Sequence, residues 1–278
     1  MIDPDVWMRP AVKADGEKYW ECILVYVDDL LATSMRAREA LEEVASTFKF
    51  KNDDISPPEM HLGGRLTKKE IDGQECWMMT SQDYVKAAVE NVETYLKKKG
   101  KKLLPVNPNT PTYPTAVFDL DDTPELDRDG TKYYQELIGI LWWMIELGRV
   151  DIHVNVAMSS AYQANPREGH LKHLLHMFSY LKSKNKLSIA FHPGDPRVDT
   201  SNFTTNYEEF LEQCRDAKEE IPHNVPEARG RSVLTTAFVD ASHAANKVTR
   251  RSHTGFIPFV QRAPVIWCSR RQNTVEFV

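Results

Sequence analysis

Apolar and polar residues alternate along residues 22–34 in a way that predicts a β-hairpin. The apolar run that begins at Cys22 stops at two adjacent carboxylates, Asp28 and Asp29, and resumes at Leu30. Short apolar runs on both sides of a polar pair indicate two strands joined by a tight turn. The sequence therefore predicts a hairpin turn over residues 26–30, with both carboxylates exposed.

The rest of the chain shows the periods of strands and of helices in comparable amounts. A second hairpin is predicted to join residues 62–66 to residues 76–79 across Asp72-Gly73. Alternation predicts further strands at residues 187–192, 234–239, 254–260 and 264–269. Helical spacing predicts helices over about residues 35–48, 81–97, 132–147, 152–162 and 166–183. This mixture indicates an α+β protein.

Breaks in these patterns divide the chain into five predicted segments. Residues 105–131 are predicted to be an extended, finally acidic linker, because four prolines within residues 104–114 exclude a helix or a central strand there. Residues 193–232 are charged and show little periodicity, which predicts an exposed or partly disordered insert. The predicted segments are residues 1–104, 105–131, 132–192, 193–232 and 233–278.

Composition limits the classes of protein to which the chain can belong. Its 278 residues are 41% hydrophobic and 27% charged, which is enough to build two or three small domains with apolar cores. No apolar run is long enough to cross a membrane, and residues 1–10 do not resemble a secretory signal. The four cysteines are widely scattered with no Cys-x-x-Cys pair, which argues against a zinc site or a disulfide framework. We therefore expect an intracellular protein, in a cytoplasmic particle or the nucleus, with reduced thiols.

The charge distribution leaves nucleic-acid binding open. The net charge of −5 weighs mildly against it, but basic residues cluster at residues 97–102, with smaller clusters at 182–186 and 250–251. A basic groove next to acidic segments can bind a phosphate backbone. The alternative explanation of the lysine run, a solvated helix end, is the more common one.

The pair Asp28-Asp29 is the strongest candidate for chemistry. Two adjacent carboxylates repel each other, and a hard divalent cation such as Mg²⁺ stabilises them through its preference for oxygen ligands. Two-metal phosphoryl transfer requires such a group of carboxylates. The alternative is an ordinary acidic β-turn, in which Asp is common.

The flanking residues connect this pair to a known family. Tyr26-Val27-Asp28-Asp29 resembles the Tyr-x-Asp-Asp box of reverse transcriptases, which carries two of the three palm-domain metal ligands. Other segments resemble, in the expected order, those of the Ty1/copia-type retrotransposon polymerases. These segments are residues 3–9, 61–64, 133–142, 170–182, 238–242, 251–256 and 264–272.

The resemblance implies a fold and a set of site residues. Residues 1–104 would be part of a palm and the start of a thumb, residues 132–192 a helical connection region, and residues 233–278 a truncated ribonuclease H-like sheet. Its implied catalytic metal ligands are Asp28 and Asp29 in the palm and Asp240 in the nuclease. Its implied substrate-binding residues are Tyr26 in the box and Gly63 and Gly64 in the primer grip.

The resemblance also implies an activity and its partners. The parent would be an RNA-directed DNA polymerase with a ribonuclease H module that uses Mg²⁺, an RNA template, a DNA primer and deoxynucleoside triphosphates. The family's third palm carboxylate lies on an earlier strand, whereas Asp3 and Asp5 lie next to the box. We therefore expect a C-terminal fragment of the polyprotein that is inactive alone, with Glu276 a doubtful partner for Asp240. The alternatives are a non-catalytic retroelement relic, nucleic-acid-binding or inert, and a helical interaction protein with an acidic hairpin.

Two further groups of residues permit both a functional and a structural interpretation. His170, His173 and His176 recur every third residue, a spacing that can bind a metal, but no Cys or carboxylate follows at matching spacing. Trp142 and Trp143 have the chemistry to stack on bases, but apolar neighbours at helical spacing favour a core position for at least one of them. We expect structural roles for both groups.

Overall fold

A computed structural model describes residues 4–50, 55–103, 108–112, 120–198, 212, 215, 223–244, 246–247 and 249–273. Its strands are β1 (Val6–Val12), β2 (Lys18–Tyr26), β3 (Asp29–Thr33), β4 (Met60–His61), β5 (Gly64–Ile71), β6 (Gln74–Thr80), β7 (Ile189–Phe191), β8 (Thr235–Ala241), β9 (His253–Val260), β10 (Ala263–Pro264) and β11 (Cys268–Arg271). Its α-helices are α1 (Ala37–Ala45), α2 (Gln82–Lys98), α3 (Arg128–Glu146), α4 (His153–Ser160) and α5 (Glu168–Ser183). A 3₁₀ turn, Val150–Ile152, precedes α4. Within the described part of the chain, no helix has the length and apolar character needed to span a bilayer.

The contacts within the chain define two compact units. The first contains residues of Met1–Pro57 and Pro196–Val233, and the second contains residues of Pro58–Asp195 and Leu234–Val278. This grouping differs from the segments expected from the sequence. Residues 58–104 share a unit with the helices of residues 132–192, and residues of the predicted insert share a unit with the N-terminal sheet.

The first unit is built on a three-stranded antiparallel sheet in the order β1-β2-β3. Val6 pairs with Leu24, and Tyr26 pairs with Asp29. Because side chains alternate between the two faces of a strand, Trp20 and Tyr26 lie on one face and Glu21 lies on the other. Helix α1 follows β3, and its Glu43 forms an ion pair with Arg9 of β1.

The second unit contains the sheet β4-β5-β6-β7 and a helical core. The turn Asp72-Gly73 joins β5 to β6 with positive φ at both positions, so the second predicted hairpin is confirmed. Apolar faces of α2, α3 and α5 meet in one cluster, in which Tyr134, Leu141, Leu174 and Phe178 are fully buried. Packing of these amphipathic faces provides most of the stability of such helices.

The five predicted helices are all present, with shifted ends. Helix α3 begins at Arg128 rather than near residue 132, because the Asp127 side chain accepts a hydrogen bond from the Gly130 amide at 2.7 Å. An Asp in this position caps the first turn, so its presence in the sequence was an available signal. The end of the predicted linker, residues 128–131, is therefore helical.

The C-terminal strands form an antiparallel sheet with β9 in the middle. Strand β8 pairs with one edge of β9, and β10 and β11 pair with the other edge. The predicted third strand, residues 264–269, lies later in the chain than expected, at Cys268–Arg271. Residues 265–267 leave the ladder, and Trp267 packs against the helical core.

Candidate functional site

The acidic pair lies at a two-residue hairpin loop in the first unit. Strand β2 ends at Tyr26, β3 begins at Asp29, and Val27 and Asp28 form the loop between them. The predicted hairpin is thus confirmed, and both carboxylates are exposed. Asp29 is the first residue of β3 and not part of the loop itself.

The backbone of this loop is strained at Val27. Its φ is +56°, whereas Asp28 has no positive φ, and this sign pattern is that of a type II′ turn. The first loop position of such a turn normally holds glycine, and a β-branched residue there is an outlier. Strain of this kind costs on the order of 1–3 kcal/mol and concentrates at functional sites. The loop is therefore the most unusual backbone feature near the predicted chemistry.

Two carboxylates and an aromatic side chain are close together at this hairpin. Tyr26 and Asp29 are direct cross-strand partners, so their side chains project from the same sheet face, and Tyr26 is about half-exposed. Mg²⁺ binds through one or two carboxylates together with water and substrate oxygens, so Asp28 and Asp29 provide a donor set that fits it. No group of three or more His, Cys, Asp or Glu side chains suited to a metal occurs among the described residues.

A buried charge network on the opposite sheet face supports the hairpin. Glu21 is 3% exposed, accepts a hydrogen bond from Ser34 Oγ at 2.6 Å and pairs with Arg9 Nε at 2.5 Å. The Ser34 hydrogen bond, and then that of Arg9, lower the pKa of Glu21. Because Arg9 also pairs with Glu43, the network connects β1, β2 and α1. Strand alternation places Glu21 on the face of Ile23 and Val25, and this available signal was missed.

Gly63 and Gly64 belong to the second unit and have structural reasons to be glycine. Leu62 and Gly63 form the loop between β4 and β5 with φ values of +50° and +86°. A Cβ atom on Gly64 would lie 3.1 Å from Met79 Cγ. Turn geometry and close packing therefore account for both residues, and their role in primer binding stays a prediction.

Asp240 is also in the second unit, one residue before the end of β8. It is exposed and lies opposite Gly255 of β9, as the sequence predicted for the end of the first C-terminal strand. Glu276, its suggested partner, is outside the described residues, as is Asp3. The structure brings Tyr26, Asp28 and Asp29 together and places Gly63, Gly64 and Asp240 in the other unit.

The three histidines of α5 make structural contacts. His170 Nδ1 accepts a hydrogen bond from the Arg167 amide at 3.1 Å, and its ring stacks on Tyr162. His176 Nε2 lies 2.9 Å from the Thr110 carbonyl oxygen. Burial, with smaller contributions from His176 and His170, lowers the pKa of His173 to about 4. These contacts agree with the structural interpretation.

The tandem tryptophans occupy different environments. Trp142 packs against the helical core and donates a hydrogen bond to Ser160 Oγ at 2.9 Å, whereas Trp143 is 41% exposed. The expectation that at least one of them belongs to the core is confirmed.

Comparisons with known proteins identify one relative. Over 266 residues the chain is 23% identical to a Saccharomyces cerevisiae protein assigned to the transposon Ty5-1, and the alignment covers 94% of this chain and 68% of the yeast protein. No protein-family model and no solved structure matches. The similarity extends over nearly the whole chain and supports a retrotransposon-related protein of retroelement-derived origin.

Proposed function

We propose that the chain forms part of a Ty1/copia-type RNA-directed DNA polymerase, a reverse transcriptase with an attached ribonuclease H module. The observation that supports this most is the hairpin at residues 26–29, where a strained Val27 holds two exposed carboxylates at a strand end. An ordinary acidic turn has no need of a β-branched residue with positive φ. The similarity to a transposon protein favours the same assignment.

In this proposal Asp28 and Asp29 hold Mg²⁺ at the hairpin. When bound, the metal lowers the pKa of the primer 3′-hydroxyl and neutralises charge on the triphosphate. The carboxylates are held by the short loop, because Asp29 is fixed by its pairing with Tyr26. Tyr26 projects from the same face as Asp29, where its ring would contact the primer end or the incoming deoxynucleoside triphosphate.

The proposal gives the second unit two further roles. The loop at Leu62 and Gly63, with Gly64 beside it, would contact the primer strand through its backbone. Asp240 would contribute to a separate Mg²⁺ site that cleaves the RNA strand of an RNA–DNA hybrid. Its exposure at the end of β8 is consistent with that role.

A second candidate function is a retroelement-derived chain that binds nucleic acid without catalysis. It is favoured by one observation: within the described residues, no third acidic or histidine side chain joins Asp28 and Asp29 in a metal-binding group. Both candidates share the same origin and differ in whether the hairpin binds metal.

Binding of an RNA–DNA hybrid, measured with and without Mg²⁺, tests the proposal. We expect Mg²⁺ to strengthen hybrid binding several-fold in the wild-type chain but not in an Asp28→Asn, Asp29→Asn double variant. Glu90→Gln is the matched control, because it removes an exposed carboxylate of helix α2 to which the proposal gives no role. Binding that does not depend on Mg²⁺ would favour the non-catalytic candidate, and absence of hybrid binding would overturn both.

A further inference from the structure

Trp20 of β2 is covered by a segment from far along the chain. The guanidinium carbon of Arg229 lies 5.1 Å from the centre of the Trp20 ring, and the indole N–H donates to the Glu227 carbonyl oxygen at 3.0 Å. Both partners belong to the first unit although 207 residues separate Trp20 from Glu227. The segment Glu227–Gly230 thus occupies the sheet face that carries Trp20.

This contact differs from a second tryptophan–cation pair of similar geometry, that of Trp77. Lys68 also lies 5.1 Å from the Trp77 ring, but these residues are direct cross-strand partners, so the register of β5 and β6 brings them together. No such register places Arg229 on Trp20. The arrangement requires a separate segment to present a planar cation to the ring.

Guanidinium groups and nucleobases are both planar groups that stack on an indole ring. The surroundings of Trp20 suit a strand with a phosphate backbone. Lys18 lies two residues before Trp20 on β2, so its side chain projects from the same sheet face. With Arg229, two basic side chains lie at this face of the strand, and Glu227 pairs with Arg229. Aromatic rings among basic groups are typical of single-strand binding surfaces.

We propose that Trp20 is a base-stacking site for single-stranded nucleic acid, and that Arg229 occupies the site when no strand is bound. A base takes the place of the Arg229 guanidinium on the ring, and Glu227–Gly230 moves away from the sheet face. The choice of nucleic acid as the ligand of this site rests on the proposed function. It lies at the opposite end of β2 from Tyr26, about 20 Å away along the strand.

Fluorescence anisotropy with a short labelled oligothymidylate, measured in EDTA, tests this inference. We expect Trp20→Leu to weaken binding about tenfold. Trp20→Phe, which keeps an aromatic face, should lose no more than about threefold. Arg229→Ala should bind at least as tightly as the wild type, because it removes the group that competes for the ring. Trp77→Leu is the matched control and should leave binding unchanged.

Several outcomes would overturn the inference. One is that the wild-type chain does not bind the oligonucleotide, and another is that it binds no more tightly than Trp20→Leu. A third is that Trp20→Phe and Trp20→Leu lose equal affinity. The last is that Arg229→Ala loses as much affinity as Trp20→Leu. Because EDTA removes divalent metal, this test is independent of Asp28 and Asp29. Trp20-dependent binding without metal binding at the hairpin would leave the inference standing and reject the polymerase proposal.

Discussion

His153 Nε2 accepts a hydrogen bond from the backbone N–H of Ser269 across 3.3 Å, and this bond joins helix α4 to strand β11. The His153 ring also packs against Trp142 in an edge-to-face arrangement, with 5.4 Å between the two ring centroids. The C-terminal sheet is therefore docked on a helix, which the sequence analysis did not anticipate for α4. Strand β8 lies on the opposite side of β9, where none of the other described strands pairs with it, and its Phe238 and Val239 are more than half exposed.

We predict that the docked edge of this sheet depends on His153. In His153→Phe the buried Ser269 N–H loses its acceptor, at a cost of about 1–3 kcal/mol. Hydrogen exchange at Cys268–Arg271 should become about tenfold faster, and Trp143→Phe, at an exposed position of α3, should leave it unchanged. In the wild type, β8 should exchange faster than α3. Protection of β8 equal to that of α3, or no effect of His153→Phe, would contradict this account.

Acidification should destabilise the helical core through His173. Its folded-state pKa of about 4 is below the ordinary value of 6.5 because the ring is buried. The unfolded chain therefore binds a proton first, and stability present above pH 6.5 is lost as the pH falls towards 4. The expected loss between about pH 7 and about pH 5 is on the order of 2 kcal/mol.

Urea unfolding of the second unit at these two pH values measures this effect, with His173→Leu as the comparison. The variant should lose the larger part of the pH dependence in this range, and His153, whose pKa is also lowered by burial, accounts for the rest. Glu21, whose pKa is lowered from 4.5, loses its contribution only at lower pH and does not interfere. A wild-type chain as stable at pH 5 as at pH 7 would show that His173 protonates freely when folded.

The strands and helices of this chain were predictable because each carries its own period, but two features of the site were not. The sequence placed Asp28 and Asp29 at the turn, whereas the loop is Val27-Asp28, because turn rules do not assign positive φ to valine. The contact of Trp20 with Glu227 and Arg229 joins segments that no local pattern relates. It also packs part of the predicted insert against a sheet, while most of the insert lies outside the described residues.

Relief of the strain at Val27 should stabilise the first unit. Val27→Gly removes a penalty on the order of 1–3 kcal/mol and adds about 0.5–1 kcal/mol of unfolded-state entropy, so a gain of about 1 kcal/mol is expected. Val27→Ala keeps most of the steric penalty and is the control. Slower hydrogen exchange in β2 and β3 of the glycine variant alone would agree with this. Destabilisation by glycine would mean that the loop is not strained in solution.

We predict that the isolated chain does not catalyse templated DNA synthesis. Two carboxylates cannot hold both catalytic metals, and loss of one metal removes several kcal/mol of transition-state stabilisation. The assay is primer extension on an RNA template with Mg²⁺ or Mn²⁺. Incorporation above that of the Asp28→Asn, Asp29→Asn double variant would show that the hairpin suffices for catalysis.

The location of bound Mn²⁺, which is paramagnetic and replaces Mg²⁺ at oxygen sites, tests the metal assignment most directly. Substoichiometric Mn²⁺ should broaden the backbone amide NMR signals of Val27, Asp28 and Asp29 before those of other acidic segments such as residues 121–129. Asp28→Asn with Asp29→Asn should abolish this selective broadening, and Asp240→Asn should leave it intact. Equal broadening of these amides in the wild type and the double variant would contradict a metal site at the hairpin, and with it the polymerase proposal.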